Sequence, residues 1–124
     1  MNTLLCIALG GAAGAVLRYG VARGVQGLLG GTFPYGTLAV NVSGCLVMGL
    51  LYVLLFERLD VRVEWRAALL IGLLGAFTTF SAFSMETLNL IEAGEALKAG
   101  MNVVLSVALC LTATWLGVAA ARTL

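Results

Sequence analysis

The side chains that could do chemistry in this 124-residue chain are mainly amides and hydroxyls set inside long apolar stretches. One stretch carries a polar residue at every fourth position: Asn102, Ser106, Cys110 and Thr114. That spacing aligns the four side chains along one face of a helix. Asn41 lies about 10 Å inside another apolar stretch at helical rise. Such groups donate hydrogen bonds without carrying a full charge, so they could replace part of an anion's hydration shell and still release the ion.

A purely structural role fits the same residues. Ser, Thr and Asn in apolar helices commonly bond to their own backbone or join neighbouring helices. For one residue of this kind the structural interpretation is the stronger one. Four such residues in register, with Asn41 beside them, favour a pathway through the membrane.

A second polar cluster occupies residues 75–84, where Gly75 is followed by Thr78, Thr79, Ser81 and Ser84. These side chains compete for backbone hydrogen bonds, so we expect the helix to be interrupted there, near the middle of the membrane. Carbonyls exposed by a break must be buried in protein or satisfied by an ion. In an antiparallel dimer, carbonyls of both chains could converge there on one dehydrated monovalent cation.

Two aromatic residues of this cluster, Phe80 and Phe83, are three positions apart and share a helix face. The edge of a phenyl ring is the positive part of its quadrupole and can face an anion. Core packing is the commoner reason for such a pair. Spacing alone leaves both interpretations open.

The composition excludes several classes of protein. Apolar residues make up 61% of the chain, charged residues 10%, and the mean hydropathy is +1.06. A soluble domain carries roughly 25% charged residues. The net charge of +1 offers no basic face for nucleic acid. The chain has no histidine and its apolar stretches have no charged residue, so acid–base catalysis lacks its usual groups and we expect no enzyme.

The charged residues divide the chain into four membrane-sized pieces. Charge-free windows cover 1–17, 24–56, 67–85 and 99–121, and a Gly-Gly-Thr-Phe-Pro turn at 30–34 splits the second. A bilayer crossing needs about 20 apolar residues. The sequence therefore predicts an all-α integral membrane protein, a single unit over residues 1–124 in contact with the lipid bilayer. Its four transmembrane helices are expected at about 3–25, 34–56, 66–91 and 98–121.

The distribution of Arg and Lys between the two sides of the membrane is nearly even, at four against two or three. Because positive residues set orientation only when one side has a clear excess, we expect insertion in both directions and an antiparallel homodimer. The pairs Gly10/Gly14 and Gly20/Gly24 allow close helix approach. They could serve this dimer or packing within one subunit.

The first apolar segment and the three cysteines are both interpreted as structural. The first apolar segment lacks the basic start of a signal peptide and is interpreted as a permanent helix. Cys6, Cys45 and Cys110 are odd in number and unclustered, which predicts small buried residues rather than disulfides or metal ligands.

Three segments carry a resemblance to a known family. They read GAAGAVLRY at 11–19, GTLAVNVSG at 36–44 and GAFTTFSAFSME at 75–86, and the last is the most specific. In these segments and over nearly its whole length the chain resembles the Fluc (CrcB) fluoride channels. Ala76 and Ala82 are small departures, standing where the family often has Gly and Thr.

The resemblance implies a dual-topology antiparallel homodimer with two fluoride pores and a structural Na⁺ at the dimer interface. It implies fluoride contacts at Asn41, Phe80 and Phe83, and Na⁺ held by the backbone oxygens of Gly75 and Thr78. Pore roles for Ser106 and Thr114 rest on the fourth helix, which matches less distinctively.

The function implied is a passive channel in the cell (inner or plasma) membrane that exports cytoplasmic fluoride and confers fluoride resistance. The alternative is a small multidrug-type, proton-coupled transporter of cationic compounds, which needs a carboxylate deep in the first helix. The first helix has none, and Glu86 in the third is the only candidate. A small assembly subunit without transport activity is a third possibility.

Overall fold

The computed structural model describes residues 2–124, and they form an all-helical protein. Four helical segments are long and apolar enough to cross a membrane: Thr3–Leu29, Tyr35–Arg58, Val63–Glu92 and Ala96–Thr123. The predicted all-α fold with four membrane-spanning segments is confirmed. Each segment overlaps its predicted counterpart and extends a few residues beyond at least one of its ends.

Five labels describe these segments. Helix α1 is Thr3–Leu29 and helix α2 is Tyr35–Arg58, whose last part, Leu54–Arg58, is π-helical. Helix α3 covers 63–77 and is π-helical over Ala67–Leu74. Helix α4 is Phe80–Glu92 and helix α5 is Ala96–Thr123.

The turn between α1 and α2 is held by one side chain, that of Gln26. Its Nε2 donates to the carbonyls of Gly31 at 3.2 Å and Phe33 at 3.1 Å, and its Oε1 accepts from the Gly36 amide at 3.1 Å. Gly30 ends α1 with a φ of 66°, which only glycine adopts without strain. The amide of Gln26 thus supplies partners for a loop at the end of two apolar helices.

Thr78 and Thr79 separate α3 from α4. Both have extended backbone, with ψ of 156° and 118°, between the helical turn Gly75–Phe77 and the start of α4. The Thr79 hydroxyl accepts from the Ala82 amide at 3.1 Å and so caps the new helix.

Glycines bring α1 and α3 into backbone contact. A Cβ added at Gly10 would lie 2.2 Å from the carbonyl oxygen of Ala68, and one at Gly14 would lie 2.1 Å from that of Leu73. Gly20 and Gly24 have no atom within 4 Å of such a Cβ. Of the two predicted glycine pairs, Gly10/Gly14 therefore serves packing within the subunit, and Gly20/Gly24 faces outward.

Helices α2 and α5 run parallel and form the most extensive helix pair of the fold. At one end the Thr32 hydroxyl, just before α2, donates to Glu95 at 2.7 Å. At the other end Arg122 binds both carboxylate oxygens of Glu57. Between these ends the backbones touch, because a Cβ on Gly49 would lie 2.2 Å from the Thr114 carbonyl oxygen.

The interruption changes the neighbours of the third membrane segment. Before it, α3 packs on α1; after it, α4 packs mainly on α5. The helices bury little of their length: between 11% and 28% of the residues in their apolar windows are buried inside the subunit. Most apolar side chains therefore face outward, as expected in a bilayer.

Candidate functional site

A cavity of about 330 Å³ lies where α2, the Thr78–Thr79 interruption, α4 and α5 meet. Among the described residues that line it, none is charged: Asn41, Cys45, Thr78, Thr79, Phe80, Phe83, Ser106, Val107, Cys110 and Leu111. Most of this wall is apolar, with amide and hydroxyl groups at a few points. Such a wall offers hydrogen bonds to an ion without a fixed charge that would trap it.

Asn41 binds the backbone of Thr79, in the interruption, at two points. Its Nδ2 donates to the Thr79 carbonyl at 2.9 Å, and its Oδ1 accepts from the Thr79 amide at 2.7 Å. The side chain thus replaces backbone bonds that the break removes, and its second N–H remains as a donor. Asn41 both lines the cavity and holds the backbone that forms its wall.

The interruption diverts two amides from their usual carbonyls. In a continuous helix the Thr79 amide would donate to the Gly75 carbonyl, and the Ala82 amide to the Thr78 carbonyl. Here the first donates to Asn41 and the second to the Thr79 hydroxyl. The carbonyls of Gly75 and Thr78 are therefore the ones whose helical donors are taken by side chains.

Phe80 and Phe83 lie together at one wall of the cavity, with ring centroids 5.2 Å apart and planes tilted by 51°. Their exposures differ: Phe83 is 8% exposed, whereas Phe80 is 76% exposed. Phe80 therefore projects from the subunit, and Phe83 is enclosed by it.

Of the polar stripe of α5, Ser106 and Cys110 line the cavity, whereas Asn102 and Thr114 do not. Asn102 is 2% exposed, and its Nδ2 donates to the Thr87 hydroxyl of α4 at 2.9 Å. Ser106 lines the cavity and is buried. Thr114 lies outside the cavity lining, and its hydroxyl donates to the Cys110 carbonyl at 3.0 Å. The structure brings Ser106 to the other predicted pore residues and leaves Thr114 beyond them.

Successive turns of α2 and α5 lie side by side, because the helices are parallel and touch at Gly49 and Thr114. One turn from this contact are two thiols, and one turn further are Asn41 and Ser106; the last level holds Thr37 and Asn102. The cavity lining contains both members of the two middle levels. The levels, beginning at the contact, are Gly49/Thr114, Cys45/Cys110, Asn41/Ser106 and Thr37/Asn102.

Thr79 also lines a second cavity, of about 350 Å³, on the other side of the interruption. This cavity contains Arg18 and Glu86, and the Thr37 hydroxyl donates to Glu86 Oε1 at 2.8 Å. The sequence-based prediction does not include Thr37, Thr79 or Thr87 as residues of the site. Thr37 could have been found, since it lies one helical turn before Asn41.

Comparison with known proteins gives a consistent family. Residues 5–118 match the family model described as CrcB-like protein, Camphor Resistance (CrcB). A relative from Coxiella burnetii, named fluoride-specific ion channel FluC, is 54% identical over the whole of both chains. One of the same name from Geobacter sulfurreducens is 52% identical, again over the whole of both chains.

A longer relative, from Methylococcus capsulatus and also named fluoride-specific ion channel FluC, is 56% identical over 98% of this chain. The chain spans about half, 54%, of that relative's length. The match to the family model covers most of the 124 residues, and the full-length relatives agree with it. The chain belongs to the CrcB-like family.

Proposed function

We propose that this protein is a fluoride channel that lets cytoplasmic fluoride leave the cell down its electrochemical gradient. The observation that carries the proposal is the full-length similarity, at about half of all positions, to relatives named fluoride-specific ion channels. A channel is not an enzyme, and the four apolar helices make the protein a multi-pass membrane protein. The relatives do not favour the multidrug-transporter alternative.

The cavity between α2, α4 and α5 is the proposed fluoride pathway. Fluoride there would exchange water for the remaining N–H of Asn41, the Ser106 hydroxyl and the edges of Phe80 and Phe83. Losing hydration is costly for a small anion, so each replacement contact matters. Chloride accepts hydrogen bonds more weakly, which would make the same contacts selective for fluoride. Thr114, beyond the lining, would act at the far end of the pathway.

Passive export needs only the membrane potential. Hydrogen fluoride crosses membranes uncharged and dissociates at cytoplasmic pH, which leaves the anion inside. A negative interior drives an anion outward with about 2.3 kcal/mol per charge per 100 mV. The proposed location is therefore the cell (inner or plasma) membrane, and the proposed consequence is fluoride resistance.

The proposed assembly is an antiparallel, dual-topology homodimer. Two observations support it: the nearly even distribution of Arg and Lys, and the outward projection of Phe80 beside the cavity. A second copy covering this face would enclose Phe80 and complete the wall. The interruption at Thr78–Thr79 would lie near the middle of the membrane, where the two copies meet.

A structural Na⁺ is the proposed cofactor at this meeting point. The Gly75 and Thr78 carbonyls suit it, because oxygen atoms are the ligands of hard cations and their helical donors are taken by Asn41 and Thr79. Thr78→Ala should leave such a site largely intact, because backbone oxygens form it. Replacing all sodium by a large organic cation should weaken dimer assembly or flux; unchanged behaviour would contradict the proposed ion.

Fluoride efflux from liposomes that contain the purified protein tests the function. We expect rapid fluoride efflux, no comparable chloride efflux and no proton-driven uptake of a cationic dye. Dye uptake without fluoride efflux would favour the multidrug alternative. Absence of all three would indicate an assembly subunit.

A further inference from the structure

Two of the three cysteines lie together in the wall of the cavity. Cys45 of α2 and Cys110 of α5 occupy the same level, one turn from the point where the backbones of Gly49 and Thr114 touch. Because the helix backbones touch one turn away, the two cysteines lie on adjacent helices and line the same cavity. Both are free and half-buried. The two positions are far apart in sequence, and the packing of α2 on α5 brings them to one cavity.

We propose that Cys45 and Cys110 form a two-thiol site that binds one soft divalent d¹⁰ metal ion, with Hg²⁺ as the probe. The donor set decides the class of metal. Zinc sites in proteins almost always have four protein ligands, or three protein ligands and a water. The described residues contain no group of three or more His, Cys, Asp or Glu side chains that could hold such an ion. Two sulfurs on opposite helices suit an ion that takes two ligands in a line.

The charge balance favours a divalent ion over a monovalent one. Each thiol loses its proton to water, two S–H bonds are replaced by two S–Hg bonds, and no electron is transferred. Two thiolates and one Hg²⁺ have no net charge, so the site stays neutral within the membrane. Cu⁺ or Ag⁺ in the same place would leave one negative charge in an apolar environment, which is costly.

The bound ion would also block the proposed pathway. It would tie α2 to α5 one turn from Asn41 and Ser106 and fill space in the cavity wall. This block rests on the proposed fluoride function, whereas metal binding does not. The two parts can therefore be measured separately.

Binding is tested on purified protein in chloride-free buffer, since chloride competes for mercury. We expect one Hg²⁺ per subunit, a near-ultraviolet sulfur-to-mercury charge-transfer band, and a fall from three to one maleimide-reactive thiols. Removing one of two ligands of a chelate costs about 100-fold or more in affinity. Cys45→Ala, Cys45→Ser, Cys110→Ala and Cys110→Ser should each show that loss, and Cys6→Ala, on α1, should bind as the unchanged protein does.

Flux is tested on the same preparations in liposomes, with each variant compared with its own rate before mercury. We expect Hg²⁺ to stop fluoride efflux in the unchanged protein and in Cys6→Ala, with reversal by a dithiol. The Cys45 and Cys110 variants should resist the same concentration. Wild-type mercury affinity in either of those variants overturns the two-thiol site. Binding without block overturns its place in the pathway, and absent fluoride efflux before mercury overturns only the proposed function.

Discussion

Phe80 and Phe83 share one cavity wall but differ in exposure. Isoleucine in place of either residue removes the positive ring edge and keeps an apolar side chain. We expect Phe80→Ile and Phe83→Ile each to reduce fluoride flux about tenfold, which is about 1.4 kcal/mol in the barrier. The dimer should remain folded, with a melting temperature close to that of the unchanged protein.

Melting temperature and liposome efflux are measured on the same preparations. Phe56→Ile, in a ring outside the cavity, is the matched control and should conduct normally. Near-normal flux in both Phe80→Ile and Phe83→Ile would show that these rings only fill space.

Asn41 should behave differently from the two phenylalanines, because it holds the backbone of the interruption. Asn41→Leu removes both hydrogen bonds to the Thr79 backbone. The N–H and C=O of Thr79 then lack the partner that Asn41 supplies. Each unpaired buried group costs about 1–3 kcal/mol. We expect both the melting temperature and the flux to fall. Ser43→Ala, on the same helix but bonded to its own backbone, is the control. Loss of flux at an unchanged melting temperature would instead leave Asn41 with a pore role alone.

At the scale of single residues, the sequence predicted which side chains would lie together, and what they bind stays a prediction. The polar stripe and the Phe pair follow from helical spacing, and Asn41, Phe80, Phe83 and Ser106 do lie on one cavity. The bonds between Asn41 and Thr79 join positions 38 apart. They depend on how α2 crosses the interruption. Residue spacing within one helix does not reveal that crossing.

Among the helices, the contact between α1 and α3 should be the least tolerant of added volume. A methyl group at Gly14 would meet the backbone of Leu73, which cannot rotate away. Overpacking of this kind costs about 1–3 kcal/mol. We expect Gly14→Ala to lower the melting temperature clearly. Gly27→Ala, on the same helix with open space around it, should have little effect; equal effects would contradict the close contact.

The connections that precede α2 and α5 are joined by a small polar cluster. A hydrogen bond from Thr32, together with the charge of Lys98, lowers the pKa of the Glu95 carboxyl. A lowered pKa in the folded state stabilises the fold above the usual value of about 4.3, and this contribution is lost as the pH falls through the lowered pKa.

Glu95→Gln tests this contribution. At pH 7 the variant should melt slightly below the unchanged protein, since exposed ion pairs are weak. The difference should shrink as the pH falls below about 4.3. Glu92→Gln, at an exposed position nearby, is the control. A difference that persists in acid would mean that the carboxylate charge is not involved.

Composition was enough to predict the number and extent of the membrane segments, because a charge-free run of bilayer length has few alternatives. It was not enough to predict that α3 packs on α1 while α4 packs on α5. That change of neighbour follows from glycines on α1 that accept the α3 backbone, a fit between two surfaces.

For the whole molecule, orientation in the membrane should be easy to bias. Two positive charges added to the 59–62 connection, on the side that already has four, would give six against two or three. We expect Leu59→Lys with Asp60→Lys, both at exposed positions, to insert in one direction only and to lose most fluoride flux. A Ser pair at the same positions is the control.

Coexpression supplies the second half of this test. If the active form is antiparallel, a copy biased in the opposite direction should restore flux to the Lys variant. Cysteine accessibility from each side of the membrane reports the orientation. Full flux from one orientation alone would contradict the antiparallel dimer.

The parallel register of α2 and α5 also has an electrical consequence. Successive levels are four residues apart, which is about 6 Å along the helix axis, and the hydrocarbon layer is about 30 Å thick. An ion that advances from one level of paired residues to the next therefore crosses roughly one fifth of the transmembrane voltage, about 0.5 kcal/mol per 100 mV. The voltage dependence of conduction would then report, in steps of a fifth, the level at which fluoride pauses.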